Sequence, residues 1–461
     1  MRRHRAHLAA ATLLLAFPLV GSCVSRPLEP SDPSPIGRRP PVSAPAPTPA
    51  PEPIPTDAPP PRPVAGTGAL VRIALQSPRD TAPLSATGAW RLLDARGGVL
   101  VRASSQESWR LQRDGTRLRA LRDDGTATPW KAGALSLFVD NEGTHVRVGG
   151  KAYRGALELV PTDSGILTVN VLPMEEYLRG VVPLEIGDRP PGERAAVEAQ
   201  AVAARSYTVT RLLSSRAGKG RSMAFDLIAS VGDQVYGGRD AERPVSDEAV
   251  RLTSGLVLLH AGQVVTAPFY STCGGETAAA EEVWRSDGEP HLKRVSDRIP
   301  GSDRYYCDIA PRFAWTRVLS GTELDGAVQR YLGAYQSLPT GGPGPVRDLS
   351  VESRTPSGRV ATLVIQTQKG TYRVRGNDAR SVLRSSGGEL LNSAYFSVTT
   401  ESAAGHLTRA VIRGNGYGHG VGMCQWGAIG RSRAGQDVRA ILRTYFPGTT
   451  IGPIPSGLLS P

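Results

Sequence analysis

One glutamate in the middle of the sequence has apolar residues on both sides. Glu185 lies between Leu184 and Ile186 and follows two valines and a proline. If its side chain points into that apolar setting, the loss of water disfavours the carboxylate and raises its pKa, as a general acid at neutral pH requires. The alternative is a solvated glutamate on a loop, which is the more common situation for a single glutamate.

A second group of polar residues recurs at helical spacing on an alanine-rich segment. Glu198 and Arg205 share one face of the helix predicted there, and Gln200 and Tyr207 share another. Such a row suits a face that lines a substrate, and it suits a salt-bridged surface equally well.

Two glycine-containing segments could bring backbone amides close to a ligand. Gly274 and Gly275 follow an apolar strand, and the stretch 414–422 has five glycines in nine residues. Glycine at this density costs backbone entropy unless the loop needs unusual dihedral angles or admits a ligand. The lysine of a phosphate-binding loop is absent, and the Gln425-Trp426 pair suggests stacking on a sugar ring. A tight turn with a structural cysteine is the alternative for the first segment.

Three cysteines, Cys273, Cys307 and Cys424, fall in the part of the chain that we expect to fold. In an exported protein a disulfide is permitted, and Cys273 with Cys307 is the natural pair. A metal site is poorly supported because no two of these cysteines have close ligand spacing and only His419 lies near one of them. We therefore predict no metal and no cofactor. Cys424 alone is typical of a small buried residue, and five residues of separation are no evidence for a thiol dyad with His419.

The elements that must position these groups change character at Met174. Before it, apolar and polar residues alternate with period two, and the Asp-Gly pairs at 114 and 124 predict hairpin turns. After it, the apolar spacing predicts helices at 193–215, 326–335, 377–384 and 437–445.

These patterns predict an α+β fold. An antiparallel β-rich region (66–170) precedes a larger mixed α/β region (171–452), and a short tail (453–461) follows.

The amino terminus has the pattern of an export signal. A basic start, an apolar stretch at 8–20 and the small residues before Cys23 predict a lipoprotein signal peptide over 1–23, with Cys23 lipidated. Plain secretion, with Cys23 lost or unpaired, is the alternative. Sixteen of the 38 prolines lie between Pro27 and Pro63, so we predict that 24–65 is a disordered linker. The protein would then be exported and membrane-anchored, facing the cell wall or periplasm.

Composition excludes two classes of protein. With 40% hydrophobic and 21% charged residues, the chain is neither a bundle of membrane spans nor wholly disordered. The formal charge of +12 comes from 54 basic and 42 acidic side chains, but no basic run is interleaved with aromatic residues. We therefore predict no nucleic-acid partner.

Seven segments in a fixed order resemble the SpoIID/LytB family, which is named after stage II sporulation protein D and the amidase enhancer. They lie at 153–155, 176–185, 198–207, 233–238, 271–277, 418–427 and 441–448. Each segment alone is a weak signal, whereas seven in register are specific. The resemblance covers nearly the whole of the expected folded body.

The resemblance implies a lytic transglycosylase of peptidoglycan with Glu185 as its catalytic residue. One carboxyl group would protonate the oxygen between N-acetylmuramic acid and N-acetylglucosamine, then take the muramyl C6 hydroxyl proton to leave a 1,6-anhydro end. No water is consumed, so no second carboxylate is needed. The residues implied to bind the glycan are Gln200, Arg205, Ser206, Tyr236, Ser271, Gly274, Gly275, Thr277, Trp284, His419, Gly420, Gln425 and Trp426.

The implied partners are peptide-stripped glycan strands, an N-acetylmuramoyl-L-alanine amidase, and a membrane reached through the lipid on Cys23. Some family members carry a zinc-binding His and Cys set just before the segment at 233. The stretch 226–233 has neither residue type, so no metal is carried over. Two alternatives stay open: a non-catalytic glycan-binding module that stimulates an amidase, and a thiol-dependent wall hydrolase that uses Cys424. The family often has Ser at the position of Cys424, which disfavours the second.

Overall fold

The computed structural model describes residues 69–217 and 224–459. The predicted signal peptide (1–23), including Cys23, and the predicted linker (24–65) lie outside the described residues. Within the described ranges, no helix combines the length and the apolarity that crossing a bilayer requires.

The described chain is a β-rich region followed by a mixed region, and the predicted α+β class is confirmed. The strands of the first region are β1 (Leu70–Ala74), β2 (Thr81–Ala86), β3 (Trp90–Leu93), β4 (Val99–Ala103), β5 (Trp109–Asp114), β6 (Arg117–Arg122), β7 (Lys131–Ala132), β8 (Leu135–Val139), β9 (Val146–Val148), β10 (Lys151–Tyr153), β11 (Ala156–Thr162) and β12 (Gly165–Pro173). The mixed region adds α1 (Met174–Ile186), α2 (Arg194–Arg216), β13 (Leu227–Ile228), α3 (Pro244–Leu252), β14 (Leu256–His260), β15 (Gln263–Val264), β16 (Phe269–Tyr270), α4 (Ala280–Val283), β17 (Ala314–Ser320), α5 (Gly321–Tyr331), β18 (Val346–Arg354), β19 (Val360–Thr367), β20 (Gly370–Arg375), α6 (Gly376–Val382), β21 (Phe396–Ala403), β22 (His406–Asn415), β23 (Met423–Cys424), α7 (Gln425–Arg433), α8 (Val438–Tyr445) and β24 (Thr450–Pro453).

Alternating burial builds the β-rich region, as the period-two pattern predicts. In β5, Trp109 and Leu111 are buried while Arg110 between them is exposed. The strands form two sheets, with the orders β13-β1-β12-β11-β8-β3-β4 and β10-β9-β2-β5-β6-β7. The hairpin turn predicted at Asp114 is confirmed, because β5 and β6 pair in antiparallel fashion and Gly115 takes a φ of +58° between them.

Helix α2 is the central element of the mixed region, and its bounds agree with the predicted helix at 193–215 to within one residue. All its alanines except Ala195 are buried, and these small side chains let α2 pack closely against α1, α3, α7, α8 and β14. Helix α1 was not among the predicted helices. It continues through Pro183 to Ile186 and so carries Glu185 in its last turn.

Residues 314–415 contain a second hydrophobic core, which the sequence analysis did not separate from the rest of the mixed region. Two three-stranded antiparallel sheets, β17-β22-β21 and β18-β19-β20, contribute to it together with α5 and α6. The helix predicted at 326–335 begins earlier, at Gly321, because of a capping box. The Ser320 hydroxyl accepts a hydrogen bond from the Glu323 amide, and the Glu323 carboxylate accepts one from the Ser320 amide.

A short parallel pair of strands joins the two glycine-containing segments. Phe269 of β16 pairs with Met423 of β23, and Tyr270 pairs with Cys424. Residues distant in sequence thereby become neighbours beside α2.

Candidate active site

Glu185 occupies the last turn of α1, and Gly187, at a φ of +82°, follows the helix end. The side chain is half-buried, and its Oε1 accepts a hydrogen bond from the Val235 amide at 2.7 Å. Burial raises the pKa of Glu185 to about 7, and the amide hydrogen bond only partly opposes that rise. The raised pKa expected from the sequence is confirmed. Its neighbour Leu184 is 45% exposed, so the burial comes from packing against other segments.

The loop that donates to Glu185 is anchored to the helices on either side of it. Gln234 is fully buried, and its side-chain oxygen accepts a hydrogen bond from the Tyr177 hydroxyl at 3.0 Å. Its amide nitrogen donates to the carbonyl of Ala204 on α2 at 3.3 Å. These bonds fix the loop, and with it the Val235 amide, against both α1 and α2.

Asp233 begins the same loop and has protein partners at both carboxylate oxygens. Its Oδ1 accepts from the Tyr207 hydroxyl at 2.9 Å and from the Arg211 guanidinium at 3.0 Å, while Oδ2 accepts from the Ile228 amide at 2.9 Å. Burial, with the charges of Asp233 and Glu185, raises the pKa of Tyr207. Tyr207 therefore stays a hydroxyl donor at neutral pH.

Tyr236 is a buried support of this loop, which corrects its predicted role as a glycan contact. Its hydroxyl donates to the side-chain oxygen of Asn170 at 2.8 Å, and its ring centre lies 5.0 Å from that of Tyr177. Gly180 of α1 faces the ring so closely that a Cβ would come within 2.6 Å of it. Tyr236 thus holds the loop beneath Glu185 and presents only 6% of its surface to solvent.

The predicted glycan contacts on α2, Gln200, Arg205 and Ser206, have no exposed surface. Arg205 forms a bidentate ion pair with Glu175, at 2.7 and 2.8 Å, and donates to the Leu256 carbonyl at 3.1 Å. The prediction that these three side chains touch the glycan is wrong, because protein encloses them on all sides. Arg205 ties α2 to α1 and β14 instead.

Most of the predicted contacts in the glycine-containing segments are also buried, namely Gly274, Gly275, Thr277, Gly420 and Gln425. The two segments pack against each other. Gly274, at a φ of +76°, approaches Asn415 so closely that a Cβ would lie 2.7 Å away, and the Gly420 carbonyl accepts from the Ala278 amide at 2.7 Å. The glycines allow two backbone segments to pack closely. The prediction that these five residues contact the glycan directly is therefore corrected as well.

Four predicted contacts keep part of their surface in solvent: Ser271, Trp284, His419 and Trp426. The His419 ring lies 5.4 Å from the Trp284 ring, its Nδ1 accepts from the Val421 amide at 3.1 Å, and its Nε2 donates to the Phe269 carbonyl at 3.0 Å. Burial lowers the pKa of His419 to about 4, so the ring is neutral at pH 7. Since both ring nitrogens bind main chain, His419 has no nitrogen free to activate a thiol.

Arg189 is a neighbour of the site that the sequence analysis missed. Its guanidinium lies 5.3 Å from the centre of the Trp426 ring, which connects the segment after Glu185 to the start of α7. No local pattern could have identified this contact, because Arg189 and Trp426 belong to segments far apart in sequence.

The three cysteines are buried and free. The Sγ atoms of Cys273 and Cys307 lie 3.3 Å apart, so the predicted disulfide between them is not formed in this structure. Cys424 is buried as predicted, and its Sγ accepts hydrogen bonds from the amides of Cys273 and Gly427 at 3.1 and 3.2 Å. Asp297, a buried carboxylate that the sequence analysis did not single out, lies beside them, with Oδ2 3.7 Å from the Sγ of Cys273.

Two family models match the chain. The one described as Stage II sporulation protein (SpoIID) matches residues 162–260, which include α1, Glu185 and α2. A domain of unknown function, DUF8618, matches residues 302–422, which include the second hydrophobic core.

Relatives extend the match beyond these segments. An uncharacterised protein of Brachyspira hyodysenteriae is 30% identical over 305 residues, covering 66% of this chain and 73% of that protein. The amidase enhancer of Bacillus subtilis is 30% identical over 298 residues, 59% of this chain and 40% of its own. The stage II sporulation protein D of Bacillus amyloliquefaciens is 31% identical over 294 residues, 62% of this chain and 75% of its own. The chain therefore belongs to the SpoIID/LytB family.

Proposed function

We propose that this protein is a peptidoglycan lytic transglycosylase in which Glu185 is the single general acid and base. The observation that carries the proposal is the largely buried but still accessible carboxyl group of Glu185, whose pKa is raised to about 7. Near neutral pH such a group exists in both protonation states, so it can donate a proton in one step and accept one in the next. Family membership supports the coarser statement that the protein acts in the cell wall.

The reaction follows from one carboxyl group. Protonated Glu185 donates its proton to the glycosidic oxygen between N-acetylmuramic acid and N-acetylglucosamine as the bond to the anomeric carbon breaks. The resulting carboxylate accepts the proton of the muramyl C6 hydroxyl, whose oxygen attacks the anomeric carbon and closes the 1,6-anhydro ring. The Val235 amide stabilises the carboxylate formed between the two transfers.

The neighbouring carboxylate does not offer the second function that a hydrolase needs. Inverting glycosidases place a second carboxylate to activate water, and retaining enzymes use one as a nucleophile. Both oxygens of Asp233 are bound by Tyr207, Arg211 and the Ile228 amide. This supports ring closure by the substrate's own hydroxyl over attack by water.

Two partly exposed tryptophans suit a sugar chain. Trp426 keeps part of its ring exposed beneath the Arg189 guanidinium, and Trp284 is partly exposed beside the neutral His419 ring. We assign these rings to stacking on the pyranose faces of the strand, with Ser271 as a hydroxyl partner. The family resemblance implies peptide-stripped strands as the substrate.

From the amino-terminal pattern we propose that this activity lies outside the membrane. Lipid on Cys23 would anchor the chain, and the proline-rich linker would let the folded body reach the cell wall. Labelling with a radioactive or alkyne-bearing fatty acid tests this: wild type should take up label and Cys23→Ser should not. Equal labelling of both proteins would contradict lipidation at Cys23.

The test of the activity is the chemistry of the product ends. Purified protein incubated with peptide-stripped glycan strands should release fragments ending in 1,6-anhydro-N-acetylmuramic acid, which are lighter by one water than hydrolytic products in a mass spectrum. Fragments with ordinary reducing ends would make the protein a hydrolase. Strands that stay intact would contradict the proposed enzymatic activity.

A second candidate is a non-catalytic module that holds glycan and stimulates an N-acetylmuramoyl-L-alanine amidase. It is favoured by one relative, which is named an amidase enhancer. In that role the strands stay intact, yet wild type and Glu185→Gln would stimulate an added amidase equally. Anhydro products from the wild type alone exclude this candidate as the whole function.

A further inference from the structure

A cluster of three thiols and one carboxylate lies in the core and takes no part in the proposed reaction. One ligand atom from each of Cys273, Asp297, Cys307 and Cys424 lies within 4.8 Å of every other, and all four residues are buried. None of the four residues has any surface exposed to solvent. We call these four residues the thiol cluster.

The fold brings the four residues together from three separate segments. Cys273 follows β16, and Cys424 ends β23, the partner of β16 in the parallel pair. Asp297 is fixed by its main chain, whose amide donates to the Gly275 carbonyl and whose carbonyl accepts from the Tyr306 amide, both at 2.9 Å. The second of these bonds also positions the adjacent Cys307. The arrangement is set by backbone hydrogen bonds, so it does not depend on a contact among the side chains themselves.

The surroundings of the cluster suit sulfur that carries negative charge. The amides of Cys273 and Gly427 both point at the Sγ of Cys424, at 3.1 and 3.2 Å. A neutral thiol is a weak acceptor, whereas a thiolate gains from such donors.

The carboxylate is divided between two sets of partners. Oδ1 of Asp297 accepts from the Tyr445 hydroxyl at 2.7 Å and from the Arg431 guanidinium at 3.0 and 3.2 Å. Oδ2 is turned to the other side, toward the Sγ of Cys273. Hydrogen-bonded outer groups of this kind orient the ligands of metal sites, and the positive charge of Arg431 offsets the anionic cluster.

We propose that the thiol cluster binds one Zn²⁺ through the three Sγ atoms and Oδ2 of Asp297. Tetrahedral zinc, with Zn–S near 2.3 Å, sets its sulfur ligands about 3.8 Å apart. The separations of 3.3 Å between Cys273 and Cys307 and 3.7 Å between Cys273 and Asp297 lie close to that value. No pair needs to contract by more than about 1 Å. Binding displaces the thiol protons to solvent, and no oxidant or reductant is involved.

The site would be structural. Four protein ligands close the coordination sphere, so no position is left for water or substrate. Zinc would join the β16–β23 pair to the segment that leads from Cys307 into the second core at 314–415. A disulfide between Cys273 and Cys307 would compete for the same sulfurs and would leave Cys424 and Asp297 unused.

Metal analysis of the full chain tests the proposal. Protein purified without chelator should contain about one zinc per chain by plasma mass spectrometry. The zinc content of Cys307→Ser should be at least about tenfold lower than that of the wild type, while the control Cys23→Ser should keep the wild-type content. A wild type without zinc, or a Cys307→Ser variant that retains it, overturns the proposal, and so does a Cys273–Cys307 disulfide in protein isolated without reductant.

A second measurement covers the event that Cys307→Ser does not fold. Co²⁺ exchanged into the wild-type chain should give the intense near-ultraviolet absorption of cobalt–thiolate bonds. Zinc added back should remove it, because zinc binds such sites more tightly. Absence of the band in a chain that takes up cobalt would contradict thiolate ligation.

Discussion

Glu185 and Asp297 are both acidic side chains withdrawn from water, yet their surroundings differ. Burial raises the pKa of each, to about 7 for Glu185 and about 8 for Asp297. Asp297 has no exposed surface and is bound by Arg431 and Tyr445, whereas Glu185 keeps part of its surface in solvent and accepts one bond, from the Val235 amide. A raised pKa alone does not mark a reactive acid. Access for a substrate and few competing partners distinguish Glu185.

The largest expected effect comes from removing the cation beside Asp297. Arg431→Met should lower the free energy of unfolding by about 3–5 kcal/mol, because it leaves a buried carboxylate without its partner. The control is Arg251→Met on α3, whose exposed side chain pairs with the partly exposed Glu248. That change should cost under about 1 kcal/mol. Urea unfolding at pH 9, above the pKa of about 8 for Asp297, measures both, and equal losses would contradict the contrast between buried and exposed pairs.

The next effect concerns the pH dependence of activity. The reaction starts from protonated Glu185, so kcat/KM should fall about tenfold for each pH unit above the pKa near 7. A profile measured on peptide-stripped strands locates the bend. A bend near 4.5, the ordinary value for glutamate, would mean that burial does not tune this group.

A smaller effect is expected for stacking on the substrate. Trp426→Ala should raise KM about fivefold to tenfold with little change in kcat, because a lost ring contact weakens binding of the strand in the ground state and the transition state alike. Trp130, which packs under Arg119 in the β-rich region, is the control, and Trp130→Ala should leave both constants unchanged. Equal changes in the two variants would remove Trp426 from the binding surface.

The smallest effect is also on stability. Here the variant is expected to be more stable than the wild type, whereas Arg431→Met is expected to be less stable. The folded-state pKa of Glu185 is raised from 4.5 to about 7, so ionising it costs folding free energy as pH rises through that window. Above pH 7, Glu185→Gln should therefore have a free energy of unfolding roughly 1 kcal/mol higher than that of the wild type, after allowance for the partial exposure of the side chain. It should also melt at a higher temperature. Below pH 4.5 the difference should vanish. Differential scanning calorimetry at both pH values measures it, and a loss at pH 8 would contradict the account.

Local sequence was enough to single out Glu185, but it did not predict the helix Met174–Ile186 that carries this residue. Apolar neighbours suggested a raised pKa, although Leu184 is exposed and the burial comes from the loop at Val235. The same reasoning could not tell which polar residues of α2 face a substrate groove and which are buried in the core. Arg205 has a spacing that suits a surface face, and only the position of Glu175 and β14 shows that it is enclosed.

The thiol cluster was beyond sequence reasoning for a related reason. Metal motifs are recognised by ligands a few residues apart, but 34 residues separate Cys273 from Cys307 and 151 separate it from Cys424. The β16–β23 pairing brings Cys424 to Cys273, although the second core at 314–415 separates the two strands in sequence. Asp297 had no local pattern at all, since its importance lies in partners such as Arg431 and Tyr445 that the fold supplies.

The central claim is that one half-buried carboxyl group performs the cleavage, and a pair of isosteric variants tests it most directly. Glu185→Gln removes the proton that the reaction needs, whereas Glu176→Gln makes the same change two turns earlier on α1. Both proteins, with the wild type, should be assayed for 1,6-anhydro ends released from peptide-stripped strands. We predict a loss of at least about a hundredfold for Glu185→Gln and near wild-type rates for Glu176→Gln. Release of anhydro ends by folded Glu185→Gln at the wild-type rate would contradict the account.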